Sequence, residues 1–380
     1  MVKIFASIIE DEAKEQINEM AKVYDDSEIR IMPDVHAGKG CTIGSVIKVT
    51  DKVVPNTVGV DIGCGMLVAN LGKVHIDLAA LDYVINKHIP SGMTVNDKPK
   101  ATFENNFIAR ITNWDYIQRS IGSLGGGNHF IEVDVDDEGN SYLVIHSGSR
   151  NLGVLVCDYW QDVAIRSMTR TDDGELKAAI EKMKAEGRQK EIPSMIAEMK
   201  KPKFKKELAY LVGDDKRNYL HDMELAQIYA SRNRFKIIET ICEHMGLKIV
   251  DTFTTIHNYI DQDGIIRKGA VSARKGEKLL IPINMKDGSL ICVGKGNPDW
   301  LCSAPHGAGR IMSRVQARKT LTMEEFSEKM DGIFSTSVCP QTIDEAPMAY
   351  KPIDVILNDI KDTVEIVKEI KPIYNFKAKN

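Results

Sequence analysis

No part of this sequence approaches the roughly 18 consecutive apolar residues that suggest a membrane span. The opening stretch, "MVKIFASIIEDEAKEQ", meets acidic residues after a short apolar run. It therefore lacks the long apolar core and small-residue cleavage site of a secretory signal. Together these absences predict a cytoplasmic protein with no membrane partner. Cysteine is sparse and scattered, at Cys41, Cys64, Cys157, Cys242, Cys292, Cys302 and Cys339, with no CxxC pair. A disulfide framework is excluded; most of these thiols are expected to be buried, with a minority serving as ligands. Neither GxxxxGK[ST] nor a strand-borne GxGxxG occurs, so any nucleotide is held in another way. A basic excess is missing too: the net charge is −4. That argues against a protein that coats nucleic acid non-specifically, and leaves room for a local basic groove. Internal repeats and low-complexity linkers are also absent.

What is present is a globular composition, 43% hydrophobic and 27% charged over 380 residues. Short β-branched runs punctuated by glycine fill the first 170 residues: "EIRIMPDVH", "TIGSVIKVT", "VVPNTVGVDI", "MLVANL", "HFIEVDVD" and "SYLVIHSG" read as strands. "DLAALDYVINKHI" and "FENNFIARITNWDYIQRSIG" read as helices between them. Residues 172–250 turn charged and helix-favouring. Strands return at "KIVDTFTTIHNYI", "LLIPINM" and "SLICVG", and "TMEEFSEKMDG" and "IDVILNDIKDTVEIVKEI" read as helices. The expectation is one α/β (α+β) domain over 1–380 with a helical insertion at 172–250.

Chemistry gathers where glycine-rich turns meet strand ends: "PDVHAGKG", "GVDIGCGM", "GGGNHFIEV", "IHSGSRNLG", "TIHNYI" and "CSAPHGAGR". Glycine lets backbone approach a ligand closely, and loops on a rigid scaffold favour function. Asp61 and Cys64 offer a carboxylate and a thiolate from one turn. His129, His146 and His257 add three imidazoles in glycine-flanked strand contexts. Five ligands exceed one tetrahedral ion, so a two-metal centre with a bridging thiolate fits, and ligand softness favours zinc. His36 is a weaker candidate; His75, His88, His221 and His244 sit in ordinary helical or polar contexts. "HSGSRNLG" with Arg150, and "HGAGRIMSR" with Arg310 and Arg314, suit phosphate, since guanidinium forks and close backbone N–H groups both bind it. His306 lies among small residues only, which leaves room for an electrophile.

Taken together, "MPDVHAGKG", "VGVDIGCGM", "LGGGNHFIE", "HSGSRNLG", "HNY" with "RKGA", "SAPHGAGR" and "EAPMAYKPIDVI" resemble, in order, the RtcB-type RNA-splicing ligases. The resemblance spans about residues 30 to 377. It implies mixed and antiparallel sheets around a two-metal site. It also implies a ligase that uses GTP and two manganese ions, the latter in place of zinc. Such an enzyme joins an RNA 3′-phosphate, or a 2′,3′-cyclic phosphate, to a 5′-hydroxyl. Cys64 would bridge the ions, with Asp61 and His129 on one and His146 and His257 on the other. His306 would attack the α-phosphate of GTP to form a histidine–GMP phosphoramidate, with Asp34 orienting it. Asn128, Glu132, Tyr350 and Lys377 would contact the nucleotide, and Gly307, Ala308 and Gly309 would let it approach His306. Arg150 and Arg310 would hold RNA phosphate. An archease-like activating protein is a further partner to consider.

Two departures stand out. "IPINMKDGS" replaces a glycine- and serine-rich segment that helps form the guanine pocket, leaving Ser289 to supply part of it, and the chain is short for the family. RNA repair is therefore expected over tRNA splicing. The residues alone also allow a two-metal phosphoesterase acting on RNA ends or nucleotides, with His306 as acid or phosphate binder. A non-catalytic RNA binder would have no need of the ligand set.

Overall fold

A computed structural model of the chain describes residues 1–38, 40–169, 173–199 and 204–379. Its centre is a seven-stranded antiparallel sheet. The strands run in the order Lys278–Asn284, Gly288–Gly294, Val364–Lys377, Phe130–Val135, Ser141–Ser147, Gly65–Gly72 and Asp251–Ile256. A five-stranded sheet follows the order Val2–Ile4, Glu28–His36, Ile43–Lys48, Ile265–Lys268 and Asn258–Ile260; only its first pair is parallel. A short ribbon, Ala270–Ser272 with Ser303–Pro305, carries the chain towards His306. This is a single domain of mixed helices and antiparallel sheets. No helix among the described residues is long and apolar enough to cross a membrane.

The helical stretch expected at 172–250 divides into two kinds of structure; its residues 172 and 200–203 lie outside the described residues. Asp173–Ala185 and Ile192–Met199 form a small helical pair. Gly213–Met245 is a 33-residue helix buried along one side, where Tyr219, Ala226, Tyr229, Ile237 and Ile241 pack into the two largest apolar clusters. It ends at Gly246, whose φ of 64° supplies the left-handed turn that stops a helix.

Three local expectations are corrected. "FENNFIARITNWDYIQRSIG" is helical only at Trp114–Ser120. Ahead of that helix the backbone N–H groups of Ile108 and Ala109 donate to the buried Asp222 carboxylate at 2.8 and 2.7 Å. "VVPNTVGVDI" is not a strand but a tight turn at Pro55–Thr57, where proline offers no ladder donor. "IDVILNDIKDTVEIVKEI" stays helical only over Ile353–Asp359. From Val364 the β-branched alternation wins, and the chain forms a 14-residue strand in the middle of the large sheet.

Candidate active site

The site lies at one end of the seven-stranded sheet because the register brings the glycine turns together there. Gly65 pairs with both Ser147 and Ile256, and Phe130 pairs with both His146 and Lys377. Cys64, His129, His146 and His257 therefore arrive side by side from four separate strand ends. Gly148 is required by this crowding, since a Cβ there would strike the Asp61 carboxylate.

The five candidate ligands form two groups that share one atom. Asp61, Cys64 and His129 make one; Cys64, His146 and His257 make the other. The thiol Sγ lies 3.3 Å from Nε2 of both His129 and His146. His129 Nε2 is 2.9 Å from Asp61 Oδ2, and His146 Nε2 is 3.4 Å from His257 Nε2. Two of the imidazoles are oriented by backbone: His129 Nδ1–H donates to Leu124 O at 3.0 Å and His146 Nδ1–H to Asn128 O at 3.2 Å. With Nδ1 bound to a carbonyl, each ring turns its Nε2 towards the thiol, where it can bind an ion once it carries no proton. Burial pushes the rings of His146 and His257 well below the ordinary imidazole value, which keeps them neutral. Burial alone would raise Asp61, but His129 beside it holds its carboxyl at about 2. A carboxylate, a thiol and converging nitrogen lone pairs suit divalent cations, so the residues fit a pair of ions.

Two residues that the sequence reading passed over fasten this arrangement from behind. Arg234 is buried on the long helix and donates to Gly63 O at 2.7 Å and Ser147 O at 2.8 Å, the carbonyls next to Cys64 and His146. Asn233 accepts from the backbone N–H groups of Gly122 and Ser123 and donates to Ser147 Oγ and Gly148 O. Their helical context gave no signal of this.

His306 stands beside the ligands, its ring centroid 4.8 Å from that of His257. Its Nδ1–H donates to Asp34 Oδ2 at 2.5 Å, and its backbone N–H donates to the same oxygen at 3.1 Å. Asp34 is fully buried, and the strand that carries it is braced by Lys351, which donates to Pro33 O at 2.7 Å. Gly309, at φ 74°, packs against the Asp34 backbone where any Cβ would clash. With Nδ1 bound to Asp34, Nε2 is the ring nitrogen of His306 left to react.

His306 and His146 also line a cavity of about 770 Å³, open on one side. Asn128, Glu132, Gly307, Ala308, Gly309, Arg310, Tyr350 and Lys377 line it as well, and so does His36. Two residues expected to meet nucleotide or RNA phosphate do not. Ser289 lies on the strand behind the wall, opposite Pro282, with its hydroxyl buried and unpartnered. Arg150 sits at φ 56° with its guanidinium on Ser123 Oγ at 3.0 Å and Gly92 O at 2.5 Å, away from the cavity.

The cavity brings a charge network that the sequence reading missed. Glu345, 3% exposed, accepts from Lys377 Nζ and Tyr350 Oη, each at 2.8 Å. It also pairs with Arg314 at 2.7 Å and Arg310 at 3.4 Å. Burial opposes its charge, but Lys377, Arg314 and Arg310 hold the carboxyl at about 2. Asp344 beside it takes Arg314 and Arg318. Glu345 opens the quoted stretch "EAPMAYKPIDVI", so a signal was there. Glu10 and Glu12 at the mouth, and Asn375 beside Glu132, carried none.

A cavity of about 770 Å³, two groups of candidate cation ligands and an imidazole between them fit an enzyme of phosphoryl chemistry. Comparison with known proteins narrows the class. The family model described as "tRNA-splicing ligase RtcB" matches residues 16–116 and 112–378. The chain is 31% identical to the RNA-splicing ligase RtcB of Escherichia coli, covering 96% of this chain and 94% of that protein. It is 27% identical to the tRNA-splicing ligase RtcB of Aeropyrum pernix over 85% of this chain and 82% of the relative. The chain belongs to the RtcB family.

Proposed function

We propose that this protein is an RNA ligase that uses GTP and two manganese ions to join an RNA 3′-phosphate, or a 2′,3′-cyclic phosphate after hydrolysis, to a 5′-hydroxyl, in RNA repair or tRNA splicing. One observation carries the reading: His306 has Nδ1 bound to Asp34 and Nε2 free, between the paired ligand groups and the cavity. A histidine attacks only through an unprotonated nitrogen, and with Nδ1 held by Asp34 the nitrogen that faces outward is Nε2.

In the proposed sequence the His306 Nε2 lone pair forms a bond to the α-phosphorus of GTP. The bond from that phosphorus to the bridging oxygen breaks, and pyrophosphate leaves. Asp34 accepts the Nδ1–H bond throughout and stabilises the positive charge that develops on the ring. Asp61, Cys64, His129, His146 and His257 would hold the ions, which supply charge neutralisation to the phosphates. Manganese follows the resemblance of the motifs, where the softness of the thiol alone would suggest zinc. Asn128, Glu132, Tyr350 and Lys377 would contact the nucleotide. The RNA 3′-phosphate oxygen then displaces His306 from the GMP phosphorus. The 5′-hydroxyl attacks the activated 3′-phosphate; GMP leaves, and the hydroxyl proton passes to solvent. Arg310 would meet RNA phosphate at the cavity wall. Arg150 would first have to leave Ser123 and Gly92.

The test is a labelling experiment with α-labelled GTP and manganese. Acid-labile, base-stable label on the wild-type chain and none on His306→Ala is the expected result. Absence of label on the wild type, with hydrolysis of RNA-end phosphates instead, would favour the two-metal phosphoesterase.

A further inference from the structure

Glu132 at the cavity wall is one of a buried pair of acids. Asp134 lies two residues along the same strand, so both side chains stand on one face of the sheet. Asp134 is fully buried, and neither of its carboxyl oxygens finds a donor among the described residues. A bare carboxylate in such a place is strongly disfavoured. Among the described residues, the group set against it is the carboxyl of Glu132, its neighbour on that face of the strand. Two ionised acids are both acceptors, so the contact exists only if a proton lies between them.

The surroundings decide where that proton sits. Glu132 accepts from Asn375 Nδ2 at 2.5 Å and has the Lys377 ammonium nearby, and both favour its charge. Asp134 has neither a donor nor a cation. Burial raises both acids, and the Glu132 charge raises Asp134 further.

We infer that Asp134 is a specificity-positioning residue: its carboxylic acid donates to Glu132 and holds Glu132 as an ionised acceptor facing the cavity, which selects a nucleobase edge with two adjacent N–H donors. Guanine has that edge, in N1–H and the exocyclic amine. Adenine sets an acceptor nitrogen beside its amine and would place a lone pair against the carboxylate. If the proton moved to Glu132 this preference would reverse. The inference rests on the nucleotide reading above and names a residue that reading does not use.

The experiment is equilibrium binding of GTP, ATP and inorganic triphosphate to the full chain as wild type, Asp134→Asn and Asp134→Leu. Asp134→Leu should lower the GTP-to-ATP affinity ratio ~10-fold or more and leave triphosphate binding unchanged. Asp134→Asn keeps an N–H donor to Glu132 and should retain the wild-type ratio within roughly 3-fold. Infrared spectroscopy should show a protonated-carboxyl band in the wild type that Asp134→Asn removes, a readout a merely structural role would not produce. A GTP-to-ATP ratio unchanged in Asp134→Leu overturns the inference while leaving the ligase reading intact. So does a band that survives in Asp134→Asn, or an equal loss of selectivity in the two variants. Should Asp134→Leu fail to fold, the infrared result and Asp134→Asn binding still decide. A wild type that binds no guanine nucleotide overturns the ligase reading, and the inference with it.

Discussion

The two halves of the site are held together by opposite means. On the ligand side the main chain does the fixing: carbonyls of Leu124 and Asn128 orient two imidazoles, and Arg234 ties the Cys64 turn to the His146 strand through two more carbonyls. On the cavity side, side chains hold side chains, with Glu345 at the centre of Lys377, Tyr350, Arg310 and Arg314. A main-chain frame places each candidate ligand on rigid elements, so loss of any one should be felt by its whole group. A charge network shares its load, so a change at one member spreads to the others without emptying the site.

The largest effect that follows concerns the shared thiol. Cys64 belongs to both ligand groups, whereas His129 belongs to one. Cys64→Ala should lose both ions and all nucleotide adduct, while His129→Ala should lose one ion, as read by metal content per chain. Equal metal content in the two variants would break the idea of a shared ligand. His306→Ala marks the boundary between the halves: it should abolish the adduct and leave metal content at the wild-type level.

On the cavity side the decisive variant is Glu345→Gln. The folded carboxyl sits at about 2 against an ordinary 4.5, so its contribution is complete above pH 4.5 and is lost as pH falls towards 2. The sign is that of a depressed acid: protonation favours the unfolded chain. By linkage the shift corresponds to about 3 kcal/mol of stability at neutral pH. Glu345→Gln should lose that amount in urea melts and flatten the acid limb of stability between pH 4.5 and 2. It should also weaken nucleotide binding, because Lys377 and Tyr350 lose their common anchor. An acid limb as steep as that of the wild type would mean the network is not what holds this wall.

The same contrast explains what could be read in the sequence. Ligand chemistry restricts residue types so narrowly that Asp61, Cys64, His129, His146 and His257 were identifiable from glycine-flanked contexts alone, and the structure gathers all five. His306 was marked by the smallness of its neighbours. The cavity was less legible, because a carboxylate that organises arginines looks like any other surface acid until the fold buries it, as with Glu345 and Asp344. Ser289 and Arg150 stand off the cavity wall, Ser289 on the strand behind it and Arg150 beside His129. Which way a strand residue faces, and which carbonyl a guanidinium meets, are set by register and loop path. In the fold, alternation gave most strands correctly. At "TVEIVKEI" the β-branched alternation was masked by helix-like charge spacing, and sheet pairing on both sides realises it.

The two arginines of the charged helical stretch extend the comparison beyond the site. From sequence, Arg188 and Arg234 belong to one texture. Arg234 is buried with two backbone carbonyls as acceptors, and Arg234→Met should cost about 2 to 3 kcal/mol and weaken metal binding roughly 10- to 100-fold, since the Cys64 turn loses its tie to the His146 strand. Arg188 reaches Glu191 at 2.7 Å and Glu186 at 3.2 Å, with about half its side chain in water. Ion pairs of that kind lose in side-chain entropy and screening most of what they gain. Arg188→Ala should therefore leave the melting temperature, metal content and adduct formation indistinguishable from wild type. A measurable loss of adduct in Arg188→Ala with the melting temperature intact would mean that Asp173–Ala185 and Ile192–Met199 contribute to substrate binding, and the contrast with the buried helix would then be one of role rather than of burial.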